Sequence, residues 1–267
     1  MAITSVSDIA AAMSAAQRMR FVKNFTAPKG AGYFQSGWLG TGFPGPGAAA
    51  VTFGGGGVHQ CTSVTAGALG QANGAVKNWL ARLQASISQP GVLYVADRLW
   101  ACSGMLGSTT NTVVTAGNLP ARITDNGAGC EAWLEVYAAG TVITGNIDVN
   151  YKNVADAAKT STTNPTTFMS TTPVIGQMYP IPLVSGDTGV RSLVNTVTYA
   201  AWGTATFGIT ILKNLAQIEI PVANTGLTLD WSRVLVEVPA DACLFFYFLA
   251  NGVTAPVALG TAWIIDK

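Results

Sequence analysis

Charge is the scarcest property of this chain. Of its 267 residues only 14 are Lys or Arg and 13 are Asp or Glu, which is 10% of the total, where a soluble domain usually carries about 25%. The formal net charge of +1 leaves no basic stripe for a nucleic acid phosphate backbone. Long apolar runs are also missing: Cys243 to Ala250 (CLFFYFLA) is the most apolar stretch, far short of the roughly 18 residues of a membrane span. There is a single histidine, His59, and Cys61, Cys102, Cys130 and Cys243 contain no CxxC pair. That excludes the usual spacings of a metal site and points to free, buried thiols. The N-terminus lacks a positive region ahead of an uninterrupted apolar segment, so an export signal is not expected.

What is abundant is apolar. Hydrophobic residues make up 49% of the chain and the mean hydropathy is +0.36. So little charge on so apolar a chain favours association, and the expected remedy is a permanent assembly that hides the exterior.

Three regions differ in texture. The first reads as a helix from about Ser7 to Arg20, capped by Ser5 or Ser7 and favoured at its start by Asp8, with Ile9, Met13, Ala16 and Met19 near helical spacing. Residues 26–75 are rich in glycine, proline and aromatics, including Tyr33, Phe34, Trp38 and the run Gly54 to Gly57. Such a stretch opposes both helix and ladder, and reads either as an extended arm laid on a partner or as a loop wrapped on its own domain. From residue 76 onward β signals dominate, although Val76, Trp79, Leu80 and Leu83 also fit a helix. Strands are expected at Val92 to Trp100, Thr206 to Leu212, Ile218 to Val222, Val234 to Val238, Cys243 to Leu249 and Thr261 to Ile265. Trp133 to Tyr137 with Asn146 to Tyr151 would form a hairpin. The fold class expected is all-β: an antiparallel β-sandwich of the jelly-roll kind over 76–267, preceded by a helix and arm over 1–75.

No motif in the chain carries recognisable catalytic chemistry. Asp187-Thr188-Gly189 matches the tripeptide of aspartic proteases, but Ser185-Gly186 before it makes a polar turn, and a second carboxylate is needed. Gly54 to Gly57 lacks the lysine of a phosphate loop, and His59 lacks a nucleophile elbow. Asp97 and Arg98 are neighbours on a strand and point to opposite faces, so each should find a buried structural partner elsewhere. Glu131 and Glu135 would lie on one face about 13 Å apart, too far for a glycosidase pair. Asn24-Phe25-Thr26 is a glycosylation tripeptide that matters only on export. Trp38, Trp202 and Trp231 could stack on sugars in a carbohydrate-binding or hydrolytic sandwich, or simply fill a core. No cofactor is expected.

Two stretches carry a resemblance. SVSDIAAAMSAAQRM, opening at Ser5, and PGVLYVADRLWACSGM, opening at Pro90, resemble segments of virion structural proteins of tailed bacteriophages. The order of parts, helix then Gly/Pro/aromatic segment then β domain, is similar too. The resemblance implies a non-enzymatic capsid component, made in the host cytoplasm and residing in the virion. A decoration or cement protein would self-associate, as a trimer, and bind the major capsid protein; a neck, tail or fibre part is the alternative. On this reading the arm would grip its partner through Met13, Met19, Phe21, Phe25, Tyr33, Phe34 and Trp38, residue types common at interface hot spots.

Overall fold

A computed structural model describes residues 5–49, 59–70, 78–108, 111–113, 117–141, 145–164, 172–199 and 203–266. In chain order the elements are α1 (Val6–Ser14), β1 (Gln17–Asn24), β2 (Phe34–Ser36), β3 (Thr41–Phe43), β4 (Asn78–Ile87), β5 (Gly91–Ala101) and β6 (Met105–Leu106). Then come β7 (Asn111–Val113), β8 (Gly117–Asn118), β9 (Cys130–Ala138), β10 (Ile147–Asn153), β11 (Ala158–Thr163) and β12 (Gln177–Pro180). The chain ends with β13 (Val190–Tyr199), β14 (Thr206–Ile220), β15 (Leu227–Leu229), α2 (Trp231–Val234), β16 (Val236–Val238), β17 (Leu244–Ala250) and β18 (Val257–Asp266). Strand accounts for 51% and helix for 6%, and every sheet is antiparallel, so the all-β class stands.

The middle layer closes on itself. β5 pairs with β17, β17 with β2, β2 with β12, β12 with β9, β9 with β14, and β14 returns to β5. This ring is a six-stranded barrel, and closure removes the unpaired edges that would otherwise template aggregation. Two further sheets cover it. On one side β15-β4-β18-β1-β3, with β16 beside β4, buries Phe21, Leu83, Ile87 and Ile264 against Leu93, Val95, Phe246 and Phe248 of the barrel wall. On the other, β11-β10-β13-β7, with β8 beside β13, packs Val149, Tyr151 and Val197 onto Leu134, Val136, Phe207 and Ile209. The sandwich expectation is met in its antiparallel, sheet-on-sheet character, and the barrel is the shared middle layer.

Several expectations need correction. The first helix stops at Ser14, not Arg20, and of the two caps expected it is Ser5 that serves, in a reciprocal box with Asp8: Ser5 Oγ accepts from Asp8 N at 3.3 Å and Asp8 Oδ2 from Ser5 N at 3.0 Å. Met19 belongs to a different periodicity. Met19, Phe21, Lys23 and Phe25 alternate with exposed Arg18, Arg20, Val22 and Asn24, and eight residue pairs with β18 outweigh one further turn of a short helix. The segment after it is not a free arm: β1 lies between β18 and β3, and β2 closes the barrel between β17 and β12. The ambiguous element beginning near residue 76 is strand β4. β9 and β10 do not form a hairpin but sit in different sheets. The two strands expected at 206–212 and 218–222 are one fifteen-residue strand, β14, whose register shift between Asn214 and Ala216 hides its continuity.

Candidate functional site

The seven residues expected to grip a partner are mostly spent on this chain. Met19, Phe21, Phe25 and Trp38 are buried. Phe21 lies 4.2 Å from Phe246 and Phe25 lies 5.9 Å from Phe248, centroid to centroid. Trp38 donates Nε1–H to the Ala48 carbonyl at 2.9 Å and lays its ring on the Arg98 guanidinium, 4.5 Å away. Met13, Tyr33 and Phe34 are half-buried and pack on three different clusters. They do not make one surface.

The other motifs resolve into structure. Asp187 accepts from Tyr151 Oη at 2.5 Å and Asn153 Nδ2 at 2.7 Å, which pins a turn and lowers its pKa. His59 is buried and stacked on Trp100 at 5.2 Å, with Nδ1 3.2 Å from the Ala101 carbonyl. The four cysteines are buried free thiols, and burial pushes Cys102 and Cys130 up to about 12. Gly54 to Gly57 and Trp202 lie outside the described residues. Trp231 opens the four-residue α2 and is partly exposed. Among the described residues no group of three His, Cys, Asp or Glu side chains could hold a metal ion, and no helix is long and apolar enough to cross a membrane.

Asp97 and Arg98 diverge as strand geometry requires. Asp97 takes Arg122 bidentately, from Nε at 2.8 Å and Nη2 at 2.9 Å, and also accepts the Cys243 amide at 2.8 Å. Arg98 points into the barrel, where Nη2 donates to Glu135 Oε2 at 2.6 Å and to Tyr137 Oη at 2.8 Å. Thr210 Oγ1 donates to the same carboxylate oxygen at 2.9 Å. Burial opposes both charges of the Arg98–Glu135 pair, but their attraction and hydrogen bonds outweigh it. Arg98 is held above its ordinary pKa and Glu135 below.

The outer face of the β1 sheet is different. Phe43, Val22, Leu259 and Ser86 stand directly opposite one another across β3, β1, β18 and β4. The first three are 63%, 45% and 52% exposed. Val257, facing Asn24 one row along, extends the patch. The next rows toward α1 bring Arg20, Thr261 and Gln84 together, then Arg18, Trp263 and Arg82, with Arg82 over the Trp263 ring at 5.0 Å. Helix α1 covers the far end of this face through Ala12, packed with Ala81 and Ile265. No acidic residue stands in these rows. The result is an apolar patch with three arginines on its α1 side, of which Arg82 is within electrostatic reach of Asp230.

No family model matches the chain, and no curated protein matches it. A search of solved structures returns a mutant VP2 protein of infectious bursal disease virus, from derived T=1 particles. It is 9% identical over 94% of this chain and 78% of that chain, with a TM-score of 0.14. A likeness that small carries no argument about fold or function.

The residues of the outer face were missed from sequence because Gln17 to Arg20 read as helix. The signal was present: an apolar residue at every second position from Met19 to Phe25, interrupted only by Lys23.

Proposed function

We propose that this protein is a non-enzymatic structural component of a bacteriophage virion, a decoration or cement protein that docks on the capsid shell through the outer face of the β1 sheet. The observation that carries this reading is the exposed row Phe43, Val22 and Leu259 flanked by Arg18, Arg20 and Arg82. Arg18 and Arg20 stand on one side of the apolar row with no acidic residue opposite them on β18, while Arg82 lies within electrostatic reach of Asp230. A second copy meeting this face about a two-fold axis along the strands would set arginine near arginine, because such an interface repeats one patch on both partners. Charge complementarity favours a different partner, an apolar capsid surface edged with Asp and Glu. The resemblance of Ser5 to Met19 and Pro90 to Met105 to phage virion proteins supports the same class. Self-association, as a trimer in this reading, would use the remaining sparse surface.

The test is co-sedimentation of the full-length protein with shells of the phage that encodes it, comparing the parent with Val22→Asp and Leu259→Asp. Both side chains point outward, so thermal midpoints should hold while bound copies per shell fall at least about tenfold, the result of placing an unpaired charge in an apolar contact. Unchanged occupancy in both variants overturns the docking face. Density for the protein at the neck, tail or fibre instead of the shell overturns the decoration role, and loss of oligomer mass in Val22→Asp assigns the face to self-contact.

A further inference from the structure

One end of the barrel opens into a cavity that neither the docking face nor the buried ion pairs account for. Its volume is about 420 Å³, within the roughly 300–1,000 Å³ of small-ligand sites. One wall is aromatic. Tyr94 and Tyr247 stack at 4.5 Å with planes 7° apart, while Phe34 meets Trp133 edge-on at 4.9 Å. Trp133 and Tyr247 are buried and back the wall; Phe34 and Tyr94 are half-buried and give it an open ring surface.

The polar groups border this wall and are already oriented by it. Glu131 Oε2 accepts from Trp133 Nε1 at 2.9 Å, and Oε1 accepts from Asn214 Nδ2 at 3.1 Å. Asn214 Oδ1 in turn accepts from Tyr247 Oη at 2.6 Å. A carboxylate offers about four acceptor sites, so Glu131 keeps capacity after these bonds. Among the described residues no Lys or Arg forms an ion pair with it. Burial, and after it the Glu131 charge, holds the Tyr94 and Tyr247 hydroxyls above their ordinary pKa. Gln217, exposed at the rim, adds an amide that both donates and accepts.

We propose that this barrel mouth binds a neutral saccharide, with one C–H face of a pyranose on the Phe34–Tyr94 surface and its hydroxyls on Glu131, Asn214 and Gln217. The arrangement of the rings chooses between ligand classes. A cage for a quaternary ammonium needs several aromatic faces converging on one point, whereas here only Phe34 and Tyr94 expose ring surface, as two faces tilted 55° to each other with centroids 6.0 Å apart, while Trp133 and Tyr247 are buried behind them. A ligand with an apolar face and a polar edge fits exposed ring surface bordered by hydrogen-bonding groups. The unneutralised carboxylate works against acidic sugars, because a second anion beside it meets like-charge repulsion. This inference is independent of the virion reading, since the docking face lies on another sheet.

The experiment is saturation-transfer NMR on the full-length protein with glucose, galactose, mannose, N-acetylglucosamine, glucuronate and choline at millimolar concentration, followed by titration. At least one neutral sugar should give a saturable response, with glucuronate weaker than glucose. Affinity should fall about tenfold or more in both Tyr94→Ala and Glu131→Gln, and Val22→Asp should retain it, separating this site from the docking face. Should Tyr94→Ala fail to fold, the conservative Glu131→Gln decides alone. The proposal is overturned by no saturable response to any neutral sugar, by undiminished binding in Glu131→Gln, or by choline binding more tightly than every sugar.

Discussion

The barrel interior and the outer face of the β1 sheet handle charge in opposite ways. Arg98 meets Glu135 inside the barrel, and on the other face of the same strand Arg122 meets Asp97, with hydrogen bonds at 2.6–2.9 Å. On the outer face, Arg18 and Arg20 stand exposed beside Val22 and Leu259, with no acidic residue opposite them on β18. In a chain of 27 charged residues, the buried matched pairs hold the framework, and Arg18 and Arg20 mark surface left for another molecule. If that division holds, interior substitutions should cost stability and outer-face substitutions should cost association alone.

The sharpest break is expected inside. Glu135→Leu strands the Arg98 guanidinium in a site with no solvent exposure, and removing one partner of a buried pair typically costs about 3–5 kcal/mol. Adding Arg98→Met should restore more than half of that loss, because a pair removed together leaves no orphan charge. Chemical denaturation of the two variants measures both values. A double variant as unstable as the single one would show that packing on Trp38 and Phe245, not charge matching, sets the cost. The pH dependence follows from direction: Glu135 is held below the ordinary carboxylate pKa, so its contribution is present at neutral pH and is lost as pH falls through the lowered folded value.

Lys23 comes next and straddles the comparison, being a cation on β1 that faces inward. Its Nζ donates to the carbonyls of Gly40 at 2.9 Å, Pro44 at 3.0 Å and Gly45 at 3.2 Å, clamping the loop around β3. Lys23→Met leaves those acceptors without their donor, at a cost of about 1–3 kcal/mol. Burial lowers the ammonium from 10.5 to about 8. Between those values the unfolded chain holds a proton that the folded chain has released, so this group's contribution to stability grows as pH rises from about 8 to 10.5. The deficit of Lys23→Met relative to the parent should therefore widen over that interval, as read from denaturation midpoints; a constant deficit would mean the ammonium titrates alike in both states.

How much of this could be read from the residues alone follows from which interactions are local. The capping box at Ser5 and Asp8 was legible because it lies within one helical turn. β5, β9 and β17 were legible because short apolar and aromatic stretches between turn signals mark buried strands: Val92 to Ala96, Trp133 to Tyr137 and Cys243 to Ala250. The barrel was not, because its closure depends on β2 and β12, strands of three and four residues too short for a periodic signal. Residues 26–49 looked like a loose arm because glycine and proline dominate there, yet Gly42 is what lets β3 form. It adopts φ 119°, and a Cβ there would collide with the Val22 carbonyl. The cavity at the barrel mouth draws on Phe34, Tyr94, Glu131 and Asn214, which lie up to 180 positions apart and carry no shared motif. Glu131 was weighed only against Glu135, whereas its working neighbours are Trp133 and Asn214.

The smallest effect on folding, and the most direct probe of the outer face, belongs to Arg18 and Arg20. Both are exposed on β1 and neither has an acidic neighbour across the strand pair. Arg18→Glu with Arg20→Glu should shift stability by no more than about 0.5 kcal/mol per site, as for surface positions without a buried partner. If an acidic-edged capsid surface covers this face, the same change reverses the sign of the long-range attraction. Parent docking should weaken as salt rises, since exposed charges are screened over about 8 Å at physiological ionic strength. The double variant should instead dock more slowly at low salt and recover as salt rises, because screening now removes a repulsion. Association rates across a salt series read both slopes. Slopes of the same sign in parent and variant would mean that the apolar row alone holds the partner and that the arginines only keep the free protein in solution.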